Sequence, residues 1–234
     1  MKLIKSLAPV YALVLTVILI SAIIGDRAVA VMSGTTSSSN RHVFVIDAGH
    51  GGIDGGATSC TGVLESQINL EIALRLNDLL HLLGYETVMI RTTDRSVYTQ
   101  GQSIAAQKVS DLKERVGTVN ETLNGVLISI HQNMYSDGRF SGAQVFYAGD
   151  NESRLLAEKL QTNLVQTLNP GSNRKSKMAA GVYLMEHIQT PGVLVECGFL
   201  SNIEEEAKLR SPIYQMQLCA VIAATLSTHF GSGK

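Results

Sequence analysis

The chain has no tryptophan, and aromatic residues make up only 5% of its 234 residues. So few rings argue against a stacking platform for single-stranded nucleic acid or for sugars. An excess of one charge is also missing, because 19 basic and 20 acidic residues leave a formal net charge of -1. No basic face advertises nucleic acid, and none is expected as a partner. Cysteine is sparse and odd in number: Cys60, Cys197 and Cys219. An exported disulfide scaffold favours a denser and even set, so at most one bridge can form here. Cys219 falls in an apolar helical pattern, which suits a small buried hydrophobe. Internal repeats and a second domain are absent as well.

What is present begins with an export pattern. Lys2 and Lys5 precede an apolar run from Leu7 to Gly25, and Ala28-Val29-Ala30 follows. A basic head, an apolar stretch and a small-x-small site read as a signal. The run sits at the lower edge of what spans a bilayer. Residues 1–30 are therefore expected to be a cleaved signal peptide or an N-terminal anchor, with the remainder exported. Contact with the membrane is expected only through this segment if it stays uncleaved. Residues 31–41 include S-G-T-T-S-S-S-N, a flexible linker by composition. Residues 42–231 are left as one domain, long enough to bury a real core.

Within that domain, short apolar runs alternate with amphipathic stretches. Val43-Phe44-Val45-Ile46 reads as a buried strand and is followed by D-A-G-H-G-G. Glu65 opens a helix in which Ile68, Ile72, Leu76, Leu79, Leu80 and Leu83 recur at spacings of three and four, and Gly84 ends it. Tyr85 to Ile90 reads as a second strand. A long polar loop is expected from Arg91 to Val109, and then a helix capped by Ser110 or Asp111 running to Leu123. Val126 to Ile130 is a buried strand ending in His131-Gln132-Asn133. Ala143 to Tyr147, Val182 to Met185 and Gly192 to Glu196 read as further strands. Helices are expected over Ser153 to Asn169, Ser201 to Arg210 and Pro212 to Phe230. The class is α/β: a single domain with a five- to six-stranded, mostly parallel twisted sheet flanked by helices on both faces.

Open α/β sheets carry their chemistry outside the carboxyl ends of the strands. Three strands end in candidate groups, His50, His131 and Glu196, and Glu65 lies just across a glycine loop from His50. Two histidines and a carboxylate are a common ligand set for catalytic zinc. The spacing matches no compact zinc signature. Each residue also has a structural reading. His50 can cap a glycine turn, and His131 can be a hydrogen-bonded core histidine. Glu65 is favoured at a helix start by the macrodipole. Glu196 is harder to dismiss, because a carboxylate ending a buried strand needs a partner or a task. Asp47 also ends a strand and is read as orienting the loop or a ligand. A rival reading makes Cys197 a thiol nucleophile, but an adjacent acid disfavours the thiolate.

The segments V-I-D-A-G-H-G-G-I-D-G-G-A, E-S-Q-I-N-L-E-I-A, I-S-I-H-Q-N and V-L-V-E-C-G-F-L-S-N occur in this order. Together they resemble the zinc-dependent N-acetylmuramoyl-L-alanine amidases of the amidase type 3 family, from about His42 to Phe230. Arg115 and Asn120, in E-R-V-G-T-V-N, resemble the family's helix before the third strand. The resemblance implies one zinc ion held by His50, Glu65 and His131, with Glu196 as the catalytic acid–base. Asp47, Asn133 and Arg115 are expected to orient a ligand or touch substrate. The implied substrate is a peptidoglycan glycan strand with its stem peptides, cut between the lactyl group of N-acetylmuramic acid and L-alanine. The I-H-Q-N variant, without wall-binding repeats, resembles the germination-specific, spore-cortex branch. That branch implies action in the cell wall or the forespore intermembrane space, and leaves room for an accessory protein in sporulation. A vegetative autolysin and a non-catalytic peptidoglycan-binding module are the alternatives.

Overall fold

The computed structural model describes residues 42–231. The expected signal or anchor, 1–30, and linker, 31–41, lie outside the described residues. Strand β1 (Val43–Ala48) is buried along almost its whole length. It pairs in parallel with β2 (Glu86–Met89) on one side and β3 (Gly125–Asn133) on the other. Strand β6 (Gly192–Phe199) extends the parallel set beyond β3. The edge runs the other way: β4 (Gln144–Tyr147) is antiparallel to β6, and the two-residue β5 (Lys177–Met178) follows β4 in parallel. The six-stranded order is β2-β1-β3-β6-β4-β5.

Side chains alternate across this sheet, and the alternation sorts them into two cores. Phe44, Ile46, Val126, Ile128, Val193, Val195 and Cys197 face helices α1 (Glu65–Leu82), α3 (Asn151–Leu168) and α6 (Pro212–Phe230). Val45, Leu127 and Leu194 face α2 (Ile104–Glu121) and the short α4 (Tyr183–His187). Helices therefore cover both faces, as the sequence pattern predicts. The stripe of α1 is buried as its spacing predicts, with Ile72, Leu76 and Leu80 at 0% exposure. Each such side chain contributes roughly 1.5–3 kcal/mol by leaving water. Gly84 ends α1 at φ +82, with its N–H on His81 O and that of Tyr85 on Leu80 O. This is a Schellman closure, and a side chain there would be strained. The last short helix, α5 (Ile203–Leu209), follows β6.

Three element assignments differ from the pattern-based reading. Helix α2 begins at Ile104 rather than near Ser110, and Ser103 caps it by accepting from Ala106 N at 3.2 Å. Ser110 and Asp111 instead accept backbone N–H groups of Thr99, Gln100 and Val97, pinning the preceding loop to the helix. The run expected as a strand over Val182 to Met185 is mostly helix α4. Short apolar runs do not distinguish the two by periodicity. The strand at that edge is β5, a little earlier in the chain. No helix among the described residues is long and apolar enough to cross a membrane.

Candidate metal centre and active site

The alternation that builds the core also places the site. Asp47, Ser129, His131 and Glu196 share parity with Val45, Leu127 and Leu194, so they sit on the α2 and α4 face at the carboxyl ends of parallel strands. His131 is the register partner of Glu196, and the ladder shifts between His131 and Asn133. That irregularity ends regular pairing just past the two functional side chains.

His50 arrives from the loop after β1 and Glu65 from the first residue of α1. One ligand atom from each of His50, Glu65 and His131 lies within 4.8 Å of the other two. His50 Nε2 is 3.3 Å from Glu65 Oε2, and His131 Nδ1 is 3.0 Å from Glu65 Oε1. The two imidazoles stand edge to face with centroids 5.0 Å apart. Two imidazoles and one carboxylate at these separations fit a single divalent ion with an open position, such as zinc with ligand bonds of about 2.0–2.2 Å. His50 Nδ1 lies 2.9 Å from Asp54 Oδ2, which favours the proton on Nδ1 and leaves Nε2 as the ligand atom. Asp54 is tied in turn to Lys108 Nζ at 2.8 Å.

The loop is held in a conformation that few side chains tolerate. His50 has φ +61, in the left-handed region, which costs on the order of 1–3 kcal/mol for a non-glycine residue. Arg115 binds its carbonyl through Nη2 at 2.8 Å, and Nη1 reaches Ala48 O at 3.1 Å. Arg115 also forms a buried ion pair with Asp47, whose other oxygen accepts from Ser129 Oγ at 2.7 Å. Asp47 and Arg115 thus brace the loop backbone, and both also border the cavity described below. Two glycines are required by close approach. A Cβ on Gly49 would come 2.2 Å from His131 Nε2, and one on Gly56 2.6 Å from Glu65 Oε2.

The electrostatics divide the two glutamates. Burial alone would raise Glu65, but hydrogen bonds and charge from His131 and His50 hold its carboxyl far below the usual range. Burial likewise opposes charge on His50, yet Glu65 and then Asp54 pull it up to about 9. Glu196 moves the other way: burial, together with the charge of Glu65, pushes it up to about 7 against the pull of His131. Its Oε2 is buried without a hydrogen-bond partner. A carboxyl near neutrality beside a candidate metal is poised to take and return a proton. His50, His131 and Glu196 open on a cavity of about 440 Å³ whose wall includes Tyr98, Lys108, Leu112 and Leu184.

The remaining candidates are distributed differently. Asn133 is not in the cavity lining; its carbonyl accepts from Leu200 N at 2.8 Å. Asn120 ties α2 to the α4–β6 turn through His187 O and Gln189 N. Cys197 faces the opposite core, fully buried, and burial pushes its thiol far up, so the thiol reading has no nucleophile. All three cysteines are free thiols. Sequence reasoning missed Asp54, Lys108 and Arg91. Arg91 is a polar residue at the end of a strand beside β1, the same signal that marked Asp47.

This geometry can be set beside known proteins. Residues 44–228 match the family described as N-acetylmuramoyl-L-alanine amidase. The chain belongs to that family. It is an enzyme of the peptidoglycan amidase class. It is 36% identical to the germination-specific N-acetylmuramoyl-L-alanine amidase of Bacillus subtilis (strain 168), covering 80% of this chain and 79% of the relative. It is 31% identical to the amidase LytC of the same organism over 73% of this chain, but spans only 32% of that longer protein. Among solved structures, the CwlD amidase from Clostridioides difficile in complex with the GerS lipoprotein superposes with TM-score 0.78. That match has 31% identity and covers 82% of this chain and 99% of that one.

Proposed function

We propose that this amidase hydrolyses the bond between the lactyl group of N-acetylmuramic acid and L-alanine of the stem peptide, with one zinc ion held by His50, Glu65 and His131. The observation that carries this reading is Glu196, the register partner of His131, whose buried Oε2 has no hydrogen-bond partner beside the His-Glu-His cluster. Zinc, when bound, acidifies water and polarises the scissile carbonyl. Glu196 takes the proton of the attacking water and passes it to the departing amine of L-alanine. Asp54 orients His50 through Nδ1, and Arg115 holds the His50 carbonyl. Tyr98, Lys108 and Leu184 line the space for the substrate. Residues 42–231 form the catalytic domain, exported behind 1–30 on the linker 31–41.

Similarity to a germination-specific amidase supports a role in spore cortex maturation, in which stem-peptide removal precedes muramic δ-lactam formation. The structural relative bound to a lipoprotein supports an accessory protein for this chain too. The LytC relative keeps a vegetative autolysin as the second reading. A pure binding module has no use for an orphaned acid at this position. Replacing Glu196→Gln should keep zinc and lower stem-peptide release from purified peptidoglycan by about a thousandfold, within the range of acid–base catalysis. Unchanged release would refute the assigned chemistry. Muropeptides of spores from a deletion strain should lack muramic δ-lactam; an intact cortex would favour the autolysin.

A further inference from the structure

Arg91 is a fully buried arginine, 1% exposed, whose hydrogen bonds all go to backbone carbonyls rather than to a carboxylate. Its Nε donates to Ala48 O at 2.7 Å. Its Nη2 donates to Gly49 O at 3.0 Å and to Ser66 O at 2.8 Å, and Nη1 to Thr93 O at 3.1 Å. The identity of these acceptors matters. Ala48 and Gly49 are the two residues before His50, and Ser66 is the residue after Glu65. One planar guanidinium therefore joins the backbone of the His50 loop to the first turn of the helix that carries Glu65.

The surroundings leave this group little slack. A Cβ on Gly51 would come 2.9 Å from Arg91 Nε and 2.5 Å from Arg95 O. Asn69, one turn along α1 from Glu65, donates to the same Gly49 carbonyl at 3.1 Å and to Glu65 Oε1 at 3.3 Å. Asp47, Asp94 and Asp111 offset its charge from a distance, but no carboxylate accepts its hydrogen bonds; burying a cation this way is costly, and packing alone would be served as well by an apolar side chain. The rigid fork of an arginine can hold several acceptors at fixed angles, which the point charge of a lysine does not do.

We propose that Arg91 is a positioning residue that sets the separation of His50 from Glu65, and thereby the affinity of the site for its metal. This rests on the zinc reading of the cluster. Ligand geometry fixed from behind is worth about 10–100-fold in metal affinity at characterised sites.

The test measures zinc affinity of the full chain by competition with a chromogenic chelator, alongside thermal unfolding of the metal-free form. Arg91→Lys should bind zinc about tenfold more weakly or worse. Arg91→Ala should bind more weakly still and regain affinity when guanidinium is added at concentrations that leave the fold intact. Leu226→Ala, a buried α6 site away from the ligand loop, controls for general destabilisation. It should lower the Tm and leave zinc affinity unchanged. The proposal is overturned if Arg91→Lys binds zinc like the wild type, or if Leu226→Ala loosens zinc as much at a matched loss of Tm. Should Arg91→Ala not fold, Arg91→Lys decides alone. A wild-type chain that binds no zinc would refute the underlying metal reading, and with it this inference.

Discussion

Two parts of this molecule treat their glutamates in opposite ways: the first turn of α5 and the carboxyl end of β6. At the start of α5, Glu205 is 4% exposed and Glu206 is 2% exposed. One oxygen of Glu205 accepts from Gly142 N at 2.8 Å and Phe199 N at 3.0 Å. Glu206 accepts from Ser59 Oγ, Thr61 Oγ1 and Arg210 Nη1. Both also lie in a first helical turn, where the macrodipole favours negative charge. On the sheet rim, Glu196 ends no helix, and its Oε2 has no partner. Satisfied acids fasten the loop after β3 and the end of β6 to the fold. The unsatisfied one is left free for a proton. Burial alone therefore does not single out the candidate for proton transfer: the ligand candidate Glu65 is buried and fully hydrogen-bonded, and it is the unpartnered oxygen that sets Glu196 apart.

The sharpest break in this comparison is activity against stability. Glu196→Gln removes about three orders of magnitude of turnover, while its Tm should stay level or rise, because a desolvated carboxyl is relieved. Glu205→Ala should do the reverse. It strands two backbone N–H groups at about 1–3 kcal/mol each, so denaturant unfolding should show a loss of roughly 2–6 kcal/mol. Activity per folded molecule should persist at temperatures well below the lowered Tm. A Glu205→Ala chain that is stable but inactive would erase the distinction between the two regions.

The next effect lies inside the rim. Asp54→Asn keeps the size of the side chain but no longer fixes the proton on His50 Nδ1. Zinc affinity should fall about 10–100-fold with little change in Tm. An unchanged zinc constant would show that the 2.9 Å contact orients nothing.

Much of this was legible because the site is assembled from the ends of regular elements. His50, His131 and Glu196 each follow an apolar strand, and Glu65 opens a periodic helix. Finding the elements nearly finds the residues, and the glycines between them signal close approach. Helix α2 was placed late because its early apolar residues do not face the core: Ile104 is 63% exposed and Val109 51%. No buried stripe announces that turn. The contacts of Arg91 were hidden for another reason. Three of its four acceptors are backbone carbonyls 42, 43 and 25 residues away, and a backbone carbonyl leaves no mark in the sequence. Lys108 and Asp54 meet across 54 residues, on a helix turn that the pattern had read as loop.

A smaller effect separates the metal-free rim from the loaded one by pH. A histidine whose pKa is raised in the fold stabilises it fully below the unfolded value near 6.5 and loses that contribution as pH rises through about 9. Chelator-treated protein should therefore lose about 1–2 kcal/mol between pH 6.5 and 9.5, allowing for solvent at the quarter-exposed ring. With zinc bound, His50 must already be neutral, so this part of the decline should vanish. Equal slopes with and without zinc would argue that His50 is not a ligand.

The smallest expected effect concerns Lys108, which sits at the cavity wall with its side chain 48% exposed. Its ion pair with Asp54 is largely in water, and such pairs contribute about 0.2–1 kcal/mol. Lys108→Ala should therefore weaken zinc only a few-fold, much less than Asp54→Asn. The double variant should add nothing beyond Asp54→Asn, because Lys108 acts on His50 through Asp54. A larger loss in kcat/KM than in zinc affinity for Lys108→Ala would reassign the residue. It would then be a direct contact to substrate, and the rim would use its exposed charges for recognition while its buried ones hold the metal.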